Sequence, residues 1–561
     1  MTALPKTDVV IIGLGAAGGV AAEVLTKAGL KVVGLEAGPY LTNQDFIKLL
    51  DEIGGCFIRN DLGQPKFNKE IPTWRPNAST AAGDSPIVWR MMNAVGGTSV
   101  HYGAQSWRLS PGDFRVRSET IQRYGEAALP AGSSIADWPI TYEDLEPYYD
   151  RVEYAIGISG RGRSNPFEGR RARDYPMPPL RITGYCKSAS RAMRTLGYHP
   201  FPQPAAMNSV NYDGRAACTY CGFCSGFGCW NDSKSSTLVT AIRKAERSGR
   251  LEIRANSTAT RILVDRNGKL SGVQYRAESG EIVQQPARFV ILSGFVYENV
   301  RRLLLSKSEA FPNGLANNHG QVGKNYMSHG YVMAGGIFPG RKLNLFNGST
   351  GQAIAIDDLN GDNFDHSNLG FIRGAMVFTF NQTLPIAAAG ATPPGVPKWG
   401  QGYKDWLKTD LNSVGSMYSQ LETLPYENNF LDLDLVKTDP FGEPVVRVTY
   451  DFYDNEKRAG SFIGGHLEKI LRTMGATKTW LFLPPIPVPI NTHAFGGTRM
   501  GNDPRRSVVD GNSISHEVPN LAILGGSTFV SISGYNPTET IQALSWRTAE
   551  HIAANFLKLA S

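Results

Sequence analysis

Residues 8–36 read strand, turn, helix, strand, and no other stretch restricts the fold of this chain as much. DVVIIG is a bare apolar run of strand length, GLGAAGG a turn, VAAEVLTKAG a helix and KVVGLEAG a returning strand. Gly13, Gly15 and Gly18 space the turn as G-x-G-x-x-G, and Glu36 closes the second strand. Glycines there let backbone N–H groups and the helix N-terminus approach a pyrophosphate, while the carboxylate accepts ribose hydroxyls. Such a βαβ unit commits the chain to an α/β fold and points to a dinucleotide, without choosing between FAD and NAD.

Further along, WPITYEDLEPYYD predicts a helix capped at Thr141, with Leu145, Tyr148, Tyr149 and Val152 at helical spacing. Residues 50–90 are rich in Gly, Pro and Asn and predict a long irregular excursion. LEIRANSTATRILVD, 251–265, alternates like one half-buried strand and leads through a hairpin turn at 267–269. RFVILSGF, 288–295, is a second buried strand followed by a helix to Leu305, and NLAILGGS is a third, before a closing helix from about Thr538. Between 331 and 484, strand-like runs such as FLDLDLVK and PVVRVTY predict a separate, mostly antiparallel domain.

Hydrophobic residues make up 41% and charged residues 19% of the 561, so the chain can bury a sizeable core and lacks the composition of disorder. Its 57 basic and 50 acidic residues leave a net +7, but the basic ones are scattered, which argues against nucleic acid as a partner. No stretch of about 20 apolar residues lacks glycine breaks and charges, so no membrane span is expected. Met1–Thr7 is too short and mixed for a secretory signal, and export would need a carrier.

A second glycine-rich loop, RMMNAVGGTSVHYGAQSWR at 90–108, joins HAFGGTRMG (493–501), VVD (508–510) and GYNPTET (534–540). Together these resemble the glucose-methanol-choline (GMC) family of FAD oxidoreductases. The likeness extends through WPITYEDLEPYYD, VILSGFVYENVRRLLLS and ENNFLDLDLVKTDPFGEPVVRVTYDFYDN, and so over nearly the whole chain. It implies a Rossmann-type FAD-binding domain assembled from 1–130, 206–330 and 485–561, a helical and irregular substrate-side segment at 131–205, and an antiparallel-sheet substrate domain at 331–484. It implies FAD contacts from Gly13, Gly15, Gly18, Glu36, Gly96, Gly97, Thr98, Ala259, Gly294, Gly526, Pro537 and Thr538. Glu36 would meet the adenosine ribose and the backbone near Ala259 the adenine. His101 stands where some members carry a histidine bonded covalently to the flavin and others a histidine packed beside it.

Oxidising an alcohol by hydride transfer requires a base for the hydroxyl proton, and a neutral imidazole suits neutral pH. His493 and Asn536 match the family's active-site pair, as base and orienter; HAFGGT has one more residue before its GT than many members have. His329, His516 and His551 lack such context and are read as structural. Asn536-Pro537 precedes the last helix, whose N-terminus would favour an anionic reduced flavin.

Cys218, Cys221, Cys224 and Cys229 give C-x2-C-x2-C-x4-C on a glycine-rich loop, the metal site of the chain on this reading. An iron–sulfur cluster is the leading expectation, against structural zinc, whose ligands split into separated pairs, and redox disulfides. The insertion, 214–236, resembles that of multi-subunit bacterial sugar dehydrogenases acting on gluconate C2 or glucoside C3. Likeness to them implies a [3Fe-4S] or [4Fe-4S] cluster, a small twin-arginine-exported subunit, a cytochrome c subunit and a periplasmic location; otherwise the chain would be cytoplasmic. Cys56 and Cys186 are read as packing residues. The expected activity is oxidation of a secondary alcohol of a sugar, glycoside or sugar acid by FAD, with the cluster and a cytochrome as electron exit. An O2-using oxidase of the same family and an electron-transfer flavoprotein without its own substrate are the alternatives.

Overall fold

The computed structural model describes residues 2–47, 51–53, 71–89, 91–379 and 384–560. Its centre is a sheet whose parallel strands lie in the order Leu251–Arg254, Val32–Leu35, Thr7–Ile12, Ile282–Leu292, Leu521–Ile523. The apolar runs found in sequence supply these strands because helices and loops cover both faces, leaving Val9, Val10, Ile11, Phe289 and Ile291 fully buried. Ile12 pairs with Leu35 and with Leu292, Leu292 with Ile523, and Leu35 with Arg254, so the carboxyl ends of all five strands are level. Turns leaving that edge therefore face the same space, where ligands of open α/β sheets bind.

The amino half of Ile282–Leu292 continues into an antiparallel hairpin, pairing with Leu270–Arg276, which pairs with Thr258–Val264. The single strand expected over 251–265 is thus two strands. Asn256, in the left-handed region at φ 51°, turns the chain between them, as asparagine can at modest cost. The hairpin turn falls where expected, with Gly268 at φ 77°.

A second, six-stranded antiparallel sheet runs Lys478–Ile486, Gly330–Ile337, Val414–Leu421, Ala375–Thr379, Ile354–Ile356, Phe201–Pro202. Helix Asp454–Thr473 lies across it, burying Ile463, Leu467, Ile470 and Leu471. FLDLDLVK and PVVRVTY do not join this sheet. As Phe430–Thr438 and Pro444–Thr449 they pair with each other, and Thr73–Arg75 adds a parallel third strand. That strand also corrects the expectation of wholly irregular structure at 50–90, of which 54–70 lies outside the described residues, Cys56 included. Helix Tyr142–Val152 begins as predicted: Thr141 Oγ1 accepts from the Asp144 N–H, and the Asp144 carboxylate accepts from the Thr141 N–H.

The three motif glycines have different reasons to be glycine. Gly13 sits at φ 88° with Ser293 O only 2.6 Å from where a Cβ would be, and a Cβ on Gly18 would collide with the Gly13 carbonyl oxygen. Both are demanded by the fold. Gly15 has ordinary φ, −80°, and a Cβ there would meet nothing nearer than Gly97 Cα at 3.8 Å. Only a bound molecule would contest that space. Gly18→Ala should therefore fail to give folded protein. Gly15→Ala should keep the wild-type circular dichroism and melting profile yet hold FAD at least about tenfold more weakly, a loss near 1.4 kcal/mol, read from the 450 nm to 280 nm absorbance ratio after gel filtration.

Candidate active site

One cavity of about 770 Å³ begins at the level strand ends, and its size is in the range for cofactor sites. Gly13, Gly15, Glu36, Ala259, Gly294 and Gly526 line it, as do Gly97, Thr98 and His101, Pro537 and Thr538, and His493 and Asn536. Of the residues expected to contact FAD, Gly18 and Gly96 do not line it. Gly18 packs the helix against the strands, and Gly96, at φ 95°, shapes the loop that carries Gly97 to within reach of Gly15. The Glu36 carboxylate accepts from the Leu14 and Gly38 N–H groups at 3.0 and 2.9 Å, which fixes it on the cavity wall at the glycine turn.

His101 follows the short helical turn Gly97–Val100. Burial, reinforced by the Lys234 charge, pushes its pKa down to about 4, and its Nε2 is buried with no hydrogen-bond partner among the described residues. An orphaned ring nitrogen and a glycine turn with open space beside Gly15 are what a flavin nucleotide in this cavity would satisfy. The closing helix Thr538–Ala560 presents its N-terminus to the same wall through Pro537 and Thr538, a favourable end for negative charge.

In the same cavity His493 Nε2 lies 3.2 Å from Asn536 Nδ2. The Asn536 amide has one orientation, because the Trp107 indole N–H, which can only donate, and the Gln420 amide N–H both donate to its Oδ1, at 3.0 and 2.9 Å. Gln420 is itself oriented by donating to the Gly534 carbonyl at 3.3 Å. Asn536 Nδ2 therefore donates, to Gln105 Oε1 at 2.9 Å and toward His493. The other face of the His493 ring meets Tyr331 Oη at 3.1 Å and His329 Nδ1 at 3.0 Å, both through Nδ1. Burial, then the neighbouring His329, holds the His493 pKa well below the usual histidine value, so the ring is neutral at neutral pH.

His329, read from sequence as structural, is thus in the site. A two-residue ladder, Met327–Ser328 against Ala494–Phe495, brings it to His493. Trp107, Gln105, Tyr331 and Gln420 carried no sequence signal beyond, for the first two, membership of the glycine-rich loop motif. Tyr331 pairs with Gln420 across neighbouring strands and Phe378 with Tyr418, so all four share the sheet face over the cavity. Trp89 packs on Tyr331 with ring centroids 4.3 Å apart. His516 instead meets Ser507 Oγ at 3.0 Å, His551 lies on the closing helix, and Cys186 is buried with its thiol donating to the Gln352 carbonyl.

The four clustered cysteines lie on the loop that packs on the glycine-rich loop at 90–108. Gly226 N–H donates to the His101 carbonyl at 2.7 Å, and Ser225–Gly228 line the cavity. None of the four is in a disulfide. Cys224 Sγ is 3.2 Å from Thr350 Oγ1, and Cys229 Sγ is 3.1 Å from Asn231 Oδ1. Burial pushes the Cys218 thiol up to about 11, and Cys224, Cys229 and Cys221 are near enough to add to that rise. Among the described residues no three Cys, His, Asp or Glu side chains converge into a site for a single metal ion.

Models of the GMC oxidoreductase family match residues 133–331 and 425–545. Gluconate 2-dehydrogenase flavoprotein of Pantoea cypripedii is 33% identical over 99% of this chain and 95% of that protein. The fructose dehydrogenase large subunit of Gluconobacter japonicus is 27% identical over 98% of each. A formate oxidase structure from Aspergillus oryzae superposes with a TM-score of 0.62 over the whole of both chains at 15% identity. Coverage of this extent, with the dinucleotide turn and the His493–Asn536 pair lining one cavity, places the chain in the GMC oxidoreductase family of FAD-dependent enzymes acting on CH–OH groups.

Proposed function

We propose that this enzyme oxidises a secondary alcohol of a sugar, glycoside or sugar acid to a ketone, as at C3 of a glucoside or C2 of gluconate, and delivers the electrons to an acceptor other than O2. The observation that carries the reading is the neutral His493 Nε2 beside Asn536 Nδ2, in the same cavity that the dinucleotide turn lines. The gluconate and fructose dehydrogenases among its relatives support a polyhydroxylated substrate, as do the faces of Trp89, Tyr331 and Tyr418 and the amides of Gln105 and Gln420 around the pair.

With the substrate hydroxyl between them in place of their mutual contact, His493 Nε2 takes its proton while the Asn536 Nδ2–H released from Nε2 holds the same oxygen, so that negative charge on the oxygen is met as it develops. Bound FAD supplies the acceptor for the hydride that leaves the carbon. The aromatic face of the six-stranded sheet orients the substrate and excludes water from the end of the cavity. Cys218, Cys221, Cys224 and Cys229 would hold an iron–sulfur cluster, [3Fe-4S] or [4Fe-4S], which supplies a one-electron carrier next to the flavin-side loop. Zinc fits less well, because a single ion with metal–sulfur bonds of about 2.3 Å needs its ligands gathered more tightly than a cluster does. A twin-arginine-exported small subunit, a cytochrome c subunit and a periplasmic location complete this reading. No helix among the described residues is long and apolar enough to cross a membrane.

Anaerobic addition of gluconate, glucose, fructose, glucosides and disaccharides to holoenzyme should bleach the 450 nm band with one class of sugar, and NMR should place the carbonyl on a ring or chain secondary carbon. His493→Ala should keep its FAD and slow that bleaching by on the order of 10²-fold or more; unchanged bleaching would remove the base from the mechanism. Because the active form of His493 is neutral and burial lowers its pKa, kcat/KM should stay level from neutral pH down through 6.5 and fall only below it. An acid limb above 6.5 would contradict the assignment. Cys221→Ser should lose iron and slow cytochrome reduction while sugar still bleaches the flavin. Rapid peroxide formation in air by the wild type would favour the oxidase instead.

A further inference from the structure

We propose that His329 is a positioning residue that fixes the tautomer of His493, holding its proton on Nδ1 so that the lone pair on Nε2 faces the substrate. This rests on the reading of His493 as the base.

The Ser533 carbonyl can only accept, and His329 Nε2 is 2.7 Å from it, so Nε2 carries the proton. His329 is fully buried, and burial pushes its pKa down to about 4, so the ring is neutral and its Nδ1 is a lone pair. That lone pair is 3.0 Å from His493 Nδ1. Two lone pairs at that distance repel, whereas an N–H on His493 Nδ1 makes a hydrogen bond. Tyr331 Oη, 3.1 Å from the same nitrogen, does not decide the matter, since a hydroxyl donates or accepts equally well.

The opposite end of the ring agrees independently. Asn536 Nδ2 is a donor because Trp107 and Gln420 occupy its Oδ1, and it lies 3.2 Å from His493 Nε2. The Nδ1–H tautomer satisfies both ends, and the Nε2–H tautomer sets lone pair against lone pair at one end and N–H against N–H at the other. Once Nε2 has taken the substrate proton, the Nδ1–H still donates to His329, so the contact that sets the tautomer also steadies the imidazolium. The framework holding His329 is built for this: the Asn491 amide donates to the His329 carbonyl at 2.9 Å, and its Oδ1 accepts from the His493 N–H at 3.1 Å.

The test is long-range ¹H–¹⁵N NMR of holoenzyme labelled with ¹⁵N-histidine, in which the ring signal missing from His493→Gln identifies His493. The expected wild-type spectrum has Nδ1 protonated and Nε2 bare, and His329→Leu moves His493 to Nε2–H or a mixture. His329→Leu should also lower kcat on the order of tenfold or more with KM and FAD content little changed. His329→Gln, whose amide can donate to the Ser533 carbonyl and offer Oε1 to His493, should keep more of the Nδ1–H tautomer than His329→Leu. Nε2–H in the wild type, or an unchanged Nδ1–H tautomer in a folded His329→Leu, overturns the proposal, and the wild-type spectrum decides even where the variants do not fold. No substrate enters the NMR measurement, so a failure of the His493→Ala kinetics would refute the base and leave the tautomer result standing on its own.

Discussion

Five strand ends held level by hydrogen-bond register are the constraint on which the site depends. Arg254, Leu35, Ile12, Leu292 and Ile523 come from four distant parts of the chain, and their pairing puts the turns that follow on one edge. From that edge emerge the glycine turn, Glu36, the Ser257–Ala259 segment, Gly294 and Gly525–Gly526, all lining one cavity. A slip of one residue in a parallel pair would point each side chain to the opposite face and carry its turn out of line. The fully buried Val, Ile and Leu of these strands thus fix the registry of a binding site as well as a core.

The reacting end is organised by a different means. Its groups are neutral, and their directions follow from partners that can only donate or only accept. An indole N–H fixes one amide, a backbone carbonyl fixes a second amide, and another carbonyl fixes an imidazole. A charged residue beside His493 would also orient it, but would shift its proton affinity strongly. Neutral partners orient it and leave burial as the main influence on its basicity, so the base is aimed and kept unprotonated together.

Much of this was legible in the sequence where the signal is local. The glycine spacing marks the first turn, continuous apolar runs mark the buried strands, and Thr141 marks a helix start, because each rests on residues within a few positions of one another. Asn256 splits a strand that alternation alone would continue, since the left-handed turn depends on backbone geometry that hydrophobic periodicity does not encode. The alternation of FLDLDLVK identifies a strand but not its sheet, because pairing partners are set by tertiary packing. His493 and Asn536 stand out through the motifs around them, whereas His329, Tyr331 and Gln420 gain meaning only from the antiparallel register that brings them beside that pair. A histidine in MSHG carries no local sign that its neighbour in space lies 164 positions away.

The cysteine loop is coupled to the neighbouring site through its backbone. Lys234 is almost wholly buried, and its ammonium donates to the carbonyls of Cys224 and Phe227 at 2.7 Å and of Tyr102 at 3.1 Å. Three carbonyls satisfy the three N–H bonds of the ammonium, and they come from both loops, so one side chain pins the cysteine segment to the residue after His101. The Gly226 N–H to His101 carbonyl bond adds a second tie, and Thr350, donating to the Gly103 carbonyl while touching Cys224 Sγ, adds a third. Carbonyl dipoles solvate the buried cation without cancelling its charge, so a net positive charge remains between the cavity and the thiols. A loop rich in thiolates or an anionic cofactor would find that charge favourable on either side, which gives the two halves of the proposed electron path a common electrostatic centre.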